Sequence, residues 1–243
     1  MPSLLHTLLL CSLVLGLSSP VAGQTANGAE PPVLRVGFNA SPPLAYFKED
    51  GAPDGQAVRL ARQLLAKAGQ PTEIGIYPTP RLLKSLQDGE LDLSMQALTP
   101  TLEDCCLFSK TPVTTLIVRG YWLGERQPIR SREELVGKSL IVLHGYSYAG
   151  LIDSIRDESR HNRLETANSF AAALQMLESG SADYLLAYET NMQEHRGGRQ
   201  PKNLRSEVID RFPVHLVLNK NYPDAARAMT RLESLLKELD AGR

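Results

Sequence analysis

The chain alternates short apolar runs with amphipathic stretches of helical period. Val33–Asn39 (VLRVGFN) reads as a strand, Gln56–Gly69 (QAVRLARQLLAKAG) as a helix stopped by glycine, and Thr72–Tyr77 (TEIGIY) as a second strand. RLLKSLQDG follows as a helix closed by Gly89, and LDLSMQAL as a third strand. After residue 136 the same grammar resumes: KSLIVL is a strand, YAGLIDSIRDE a helix, SFAAALQMLESG a helix and ADYLLAY a strand. Strands alternating with helices predict parallel sheets in an α/β fold. Two β-rich runs, Thr111–Gly124 and Phe212–Lys220, join the halves as a hinge, and a closing helix from Asp224 is expected to return to the first half.

An internal echo supports two similar halves. Leu83, Leu86, Gly89 and Asp92 form L-x-x-L-x-x-G-x-x-D, and Leu174, Leu177, Gly180 and Asp183 repeat it 91 residues later. The leucines bury one helix face, glycine supplies a left-handed C-cap, and aspartate opens the next strand.

The extreme N-terminus breaks this pattern. Leu4–Leu17 is an uncharged apolar run, and SSPVAG after it supplies small residues for a signal peptidase. The run falls short of the ~20 apolar residues of a comfortable membrane span. Cys11 lies inside it, too early and without the small preceding residues of a lipoprotein site. Residues 1–23 therefore read as a signal peptide cleaved after Ala22 or Gly23, residues 24–32 as a loose leader, and the protein as exported to the periplasm. Net charge is −1 and no basic run occurs, which argues against a nucleic-acid partner. The remainder, about 220 residues, suits one large domain or two small lobes.

The stretch LRVGFNASPPLAYFKEDGAPDGQAVRLARQLLAKAG, then LQDGELDL, TP…FS, GKSLIVLHGYS, SGSADYLLAY and the closing helix resemble the extracytoplasmic solute-binding proteins of family 3. The resemblance covers roughly residues 33–240. It implies a two-lobed, periplasmic-binding-protein-like clamshell of type II with a two-segment hinge. Lobe one would comprise residues 33–115 plus 215–243, and lobe two residues 116–214. It further implies a monomer that closes on a small-molecule ligand and delivers it to an ABC transporter permease, with no cofactor and no metal.

Two departures bear on the ligand. In amino-acid binders of this family a T-x-E-R motif places an arginine on the ligand carboxylate; here the stretch reads Thr99-Pro100-Thr101-Leu102, with Leu102 in the arginine's place. The aspartate that holds the ligand amine, a few residues after the Ala-Asp pair, is replaced by Tyr188, with Glu189 beside it. The expected ligand is therefore a small polar or aromatic solute other than a standard amino acid. Tyr46, Tyr77, Tyr146, Tyr148 and Tyr188 fall at strand ends or in loops where a cleft would lie, offering flat faces with a hydroxyl handle. Arg81 is the candidate for an anionic group. Asn39, Ser41 and Thr99 are candidate hydrogen-bonding groups, and Gly145 and Ser147 candidate amide donors at a helix start.

Two enzyme readings compete with passive binding. Gly145–Ala149 (GYSYA) resembles a G-x-S-x-G nucleophile elbow with Ser147 as nucleophile, and His161, His195 or His215 as base. Periplasmic cyclohexadienyl dehydratases share the clamshell; in that reading Glu189 is the cleft carboxylate, with Tyr146 or Arg81 on the substrate carboxylate. The fold also serves as a sensor input domain, although no kinase segment is encoded in this chain. Cys105 and Cys106 lack further ligands at zinc spacing and lack a C-x-x-C pattern. They read as a reduced, packed pair, with a vicinal disulfide as the alternative.

Overall fold

Leu34, Val36 and Phe38 bury one face of the first strand, β1 (Leu34–Asn39), in the computed structural model, which describes residues 32–241. The expected signal peptide and nearly all of the expected leader lie outside the described residues. A small ladder of β2 (Tyr46–Phe47) and β3 (Pro53–Asp54) leads to α1 (Gln56–Lys67). Gly55 opens that helix at φ 126°, where a Cβ would stand 2.2 Å from the Leu44 carbonyl oxygen, so only glycine fits. The chain continues through β4 (Thr72–Tyr77), α2 (Thr79–Gln87), β5 (Leu93–Ala97), α3 (Pro100–Glu103), β6 (Cys106–Phe108) and β7 (Thr114–Leu123). After these come β8 (Ser139–Leu143), α4 (Leu151–Arg156), β9 (Arg163–Ala167), α5 (Phe170–Glu178), β10 (Tyr184–Tyr188) and α6 (Glu189–Glu194). The sixteen-residue β11 (Leu204–Asn219) and α7 (Ala225–Ala241) close the chain.

Apart from the β2–β3 ladder, the strands form one curled sheet in the order β4-β1-β5-β11-β7-β10-β8-β9, with β6 also on β11. The sheet is mixed rather than parallel. β1–β4, β1–β5, β8–β9 and β8–β10 run parallel, whereas β11 meets β5, β6 and β7, and β7 meets β10, antiparallel. Within this sheet the antiparallel pairs all involve the two long strands that the sequence marked as connectors. Two large apolar cores flank them. One gathers β1, β5, α1 and α7 around Leu64, Leu216 and Met229; the other gathers β8, β10, α4 and α5 around Ile141, Leu174 and Leu185. Each fully buried leucine contributes about 1.5–3 kcal/mol against exposure. The last helix packs into the first core.

The repeated unit recurs as geometry. Gly89 and Gly180 both take φ 74°, and the Leu91 and Ser181 amides donate to the Ser85 and Met176 carbonyls. The Asp92 amide then bonds Arg35 O on β1 at 2.8 Å, and the Asp183 amide bonds Ser139 O on β8 at 3.1 Å. The side chains diverge. Asp92 accepts the Arg35 backbone N–H, Nε and Nη2 at 2.7–2.9 Å, whereas Asp183 pairs with Arg126 on the surface.

Three elements depart from the sequence reading. The helix expected from Tyr148 starts only at Leu151, because Ala149 and Gly150 lie at φ 54° and 89°. Strand β9 (RLETA) sits at the sheet edge with exposed polar positions, so it carries no apolar alternation. The polar helix α6 is held by a local cap, the Asn191 Oδ1 accepting the Tyr188 amide at 3.0 Å.

Candidate functional site

A cavity of about 830 Å³ opens where the two cores face each other across β7 and β11. Its first wall comes from the carboxyl ends of β1 and β5, the start of α1 and the turn into α3: Asn39, Ser41, Gln56, Gln96, Thr99 and Thr101, over an apolar floor of Phe38, Leu60 and Met95. The second wall comes from loops of the other half and includes Arg132, Glu133, Ser147, Asp153, Arg160, Tyr188 and Thr190. Strand ends supply these positions because loops beyond the carboxyl edge of a sheet are free to carry polar groups.

Two hydroxyls stand out. Thr99 Oγ1 and Thr190 Oγ1 are buried and have no hydrogen-bond partner, and both residues line the cavity from opposite walls. A buried hydroxyl left unpaired costs stability, so such groups mark places where a partner is expected. The charged residues carry both signs. Arg132 is committed to Asp210 and lies 4.7 Å from the Phe212 ring centroid. Glu133 is held below the usual carboxylate range, first by the Ser131 hydroxyl and further by Arg132 and Arg160. Asp153 and Arg160 form no ion pair among the described residues, so together with Glu133 they leave two carboxylates and one guanidinium in the cavity lining.

Of the sequence candidates, the cavity brings together Asn39, Ser41, Thr99, Ser147 and Tyr188. Tyr148 belongs elsewhere: it is fully buried, and its phenol oxygen accepts the Leu143 amide and donates to the Leu186 carbonyl. Tyr146 is buried too, its hydroxyl donating to the Pro42 carbonyl of the first half, beside the Asn191 amide, which bonds the same carbonyl at 2.9 Å. Burial pushes the Tyr146 phenol up to about 12. Tyr146, Tyr148 and Tyr188 form one cluster, with ring centroids 5.5–5.8 Å apart, so the tyrosine-rich pattern reflects packing at the base of the second wall. Gly145 lies near the Ala40 carbonyl, outside the cavity lining. Tyr46 and Tyr77 lie outside it as well, and Arg81 sits 5.6 Å from the Tyr77 ring centroid instead.

Glu189 is likewise absent from the cavity. It pairs with Arg119 at 2.8 Å in a separate groove, so the carboxylates that do face the cavity are Glu133 and Asp153. Leu102 is fully buried in a third, small core with Leu82, Leu86, Cys106 and Val217; its neighbours Pro100 and Thr101 line the cavity, and it does not. Cys105 and Cys106 are free thiols with sulfurs 3.0 Å apart, and burial raises Cys106 to about 12. The residues missed by sequence, Arg132, Asp153, Arg160 and Thr190, lie in charged or polar stretches that read as solvated surface. Nothing local distinguishes them; only the chain's return past β7 and β11 brings them to the cavity.

The three histidines named as a base for Ser147 are engaged or placed elsewhere. His215 Nδ1 bonds the Ser109 carbonyl at 2.7 Å, His195 Nε2 bonds Arg199 O, and His161 is exposed at the far end of α4. None contacts Ser147 among the described residues.

A sequence model of the bacterial extracellular solute-binding proteins, family 3, matches residues 34–117. No curated protein matches the chain in sequence. Among solved structures, the GluR0 ligand-binding core in complex with L-glutamate aligns at TM-score 0.65 and 18% identity, over 86% of this chain and 95% of that one. Holo ArgBP from T. maritima aligns at 0.61 and 22%, over 86% and 90%. The ancestral amino acid-binding protein AncCDT-1, a precursor of cyclohexadienyl dehydratase, aligns at 0.62 and 19%, over 86% and 89%. At these identities the likeness is one of fold. Among the described residues no helix is long and apolar enough to cross a membrane. Residues 34–117 thus match the extracellular solute-binding proteins of family 3, and the described chain carries the two-lobed α/β fold of periplasmic binding proteins.

Proposed function

We propose that this is an exported, monomeric solute-binding protein that captures a small polar or aromatic solute between its lobes and delivers it to an ABC transporter permease. In this reading residues 33–115 and 215–243 form one lobe, residues 116–214 the other, and β7 and β11 are the hinge. The observation that carries it is a pair of residues, Thr99 and Thr190, that line one cavity from two walls and each hold a buried hydroxyl with no hydrogen-bond partner. A solute bridging them satisfies both at once and favours the closed arrangement through its contacts with each. The volume of about 830 Å³ lies toward the upper end of the ~300–1,000 Å³ range of small-molecule sites, which suits a solute with an apolar body. Asp153 and Arg160 supply one charge of each sign for its polar end.

A thermal-shift screen against amino acids, aromatic acids and polyamines tests this. A true ligand at a hundred times its Kd stabilises by about 2.7 kcal/mol, and titration calorimetry then gives the affinity. Thr99→Val and Thr190→Val should each weaken that ligand by about tenfold while leaving the unliganded stability unchanged or raised. If none of these classes shifts the transition, the reading fails.

A second reading rests on Glu133 and Asp153, carboxylates within reach of a bound solute, together with the fold shared with AncCDT-1. It predicts turnover of prephenate or arogenate, lost in Glu133→Gln or Asp153→Asn; binding without turnover rejects it.

A further inference from the structure

A second concave site lies on the outer side of α6, separate from the large cavity. It is a groove of about 420 Å³ between β7 and β11 on one side and α6 with residues 200–202 on the other. Its polar lining is dominated by cations. Arg119, Arg196, Lys202 and Arg205 face it against a single carboxylate, Glu189. Arg119 is held on the groove wall by Glu189 at 2.8 Å and by the Ser206 hydroxyl at 3.2 Å. Arg205 reaches out to Glu125 at 2.5 Å, whereas Arg196 and Lys202 have no carboxylate partner among the described residues.

The independent observation is Tyr121. The residue lines the groove and is 2% exposed, its ring stacks edge-on against Phe170 at 5.8 Å, and its buried hydroxyl has no hydrogen-bond partner. Phenylalanine would fill the same space without burying an unpaired O–H, so packing does not account for the oxygen. An O–H donor beside a guanidinium, under a rim of two unpaired cations, is a donor set for an anion and offers little to a cation or an apolar ligand.

We propose that this groove binds a small organic dianion, one carboxylate engaging Arg119 and the Tyr121 hydroxyl and the other engaging Arg196 and Lys202. The volume admits a molecule of dicarboxylate size and excludes a macromolecule from the floor. The site adjoins the large cavity without merging with it: Glu189 lines the groove, and Thr190, the next residue, lines the cavity.

The test uses the full chain, with succinate and malonate as probes in low-salt titration calorimetry. Saturable binding is expected, weakened about tenfold by Tyr121→Phe, since a hydrogen bond to a charged group is worth at least that factor. Tyr121→Phe breaks no hydrogen bond, so the variant should fold as stably as the parent or more so. The double substitution Arg196→Ser/Lys202→Ser, confined to exposed side chains, should lose a similar factor and much of the salt dependence. Absence of heat with both dicarboxylates overturns the proposal, as does binding that Tyr121→Phe leaves unchanged. Dicarboxylate binding abolished by Thr99→Val but not by Tyr121→Phe assigns the anion to the large cavity and also overturns it.

Discussion

Replacing Tyr148 by phenylalanine separates packing from binding most sharply. The parallel pairing of Ile141 with Leu185, carried one rung further, would join the Leu143 N–H directly to the Leu186 carbonyl. The phenol oxygen stands between them and serves both, accepting at 2.8 Å and donating at 2.9 Å in a fully buried position. Tyr148→Phe therefore orphans one donor and one acceptor of the backbone, each worth about 1–3 kcal/mol when left unsatisfied. Partial closure of the strands recovers some of this, leaving an expected loss of about 2–4 kcal/mol, a large share of a typical domain's 5–15. For a chain of this size that lowers Tm by roughly 5–15 °C. Urea unfolding at constant m gives the value directly. A loss below about 0.5 kcal/mol refutes the bridging role. So does unchanged stability with a collapse in solute affinity, which would return Tyr148 to the binding surface.

Leu102→Ala should cost about 2–4 kcal/mol by opening a void in the small core, with solute affinity unchanged, as read by denaturation and calorimetry in parallel. Leu102→Arg should fail to fold rather than create a carboxylate grip. Asp92→Asn, which breaks a partly buried fork to Arg35, should cost about 1–3 kcal/mol, whereas Lys84→Ala, which removes an exposed pair with Asp88 at the end of α2, should cost about 0.5 or less; a reversed order in urea midpoints would undo the burial argument. Burial raises the phenols of Tyr121, Tyr146, Tyr148 and Tyr188 above their unfolded value. Their contribution is whole below pH 10 and is lost as pH climbs toward the folded values, because only the unfolded chain then releases the protons. Each adds a slope of about 1.4 kcal/mol per pH unit there, so stability should fall steeply above pH 10 in Tm-versus-pH scans.

The helix–glycine–aspartate joints were legible because everything that makes them is local: paired leucines, a left-handed glycine and the strand after it. The long connectors were legible for the same reason, although the first half of β11 was not. LRSEVIDR carries polar groups on both faces and is a strand only because β7 pairs with it. The site divided along the same line. Asn39, Ser41 and Thr99 follow strands whose ends can be read from the sequence. Arg160 and Thr190 come from segments whose placement depends on how the second half packs. Tyrosine misled because its ring and hydroxyl suit a cleft and a core equally. Tyr148 satisfies two backbone groups, and no pattern along the chain distinguishes that from an open hydroxyl.

The Pro42 carbonyl takes hydrogen bonds from both Tyr146 and Asn191, so one oxygen of the first lobe is held by two elements of the second. This tie involves no solute atom. If the protein closes on a solute as proposed, the free energy of this tie is the same whatever occupies the cavity, and it raises the affinity of every admitted solute by an equal factor. It therefore gives no discrimination between solutes. Under the proposed binding function, selectivity falls instead to groups of the cavity lining with no hydrogen-bond or ion-pair partner among the described residues, Thr99, Thr190, Asp153 and Arg160. Altering Asn191 should scale the whole ligand spectrum together, while altering those four should reorder it.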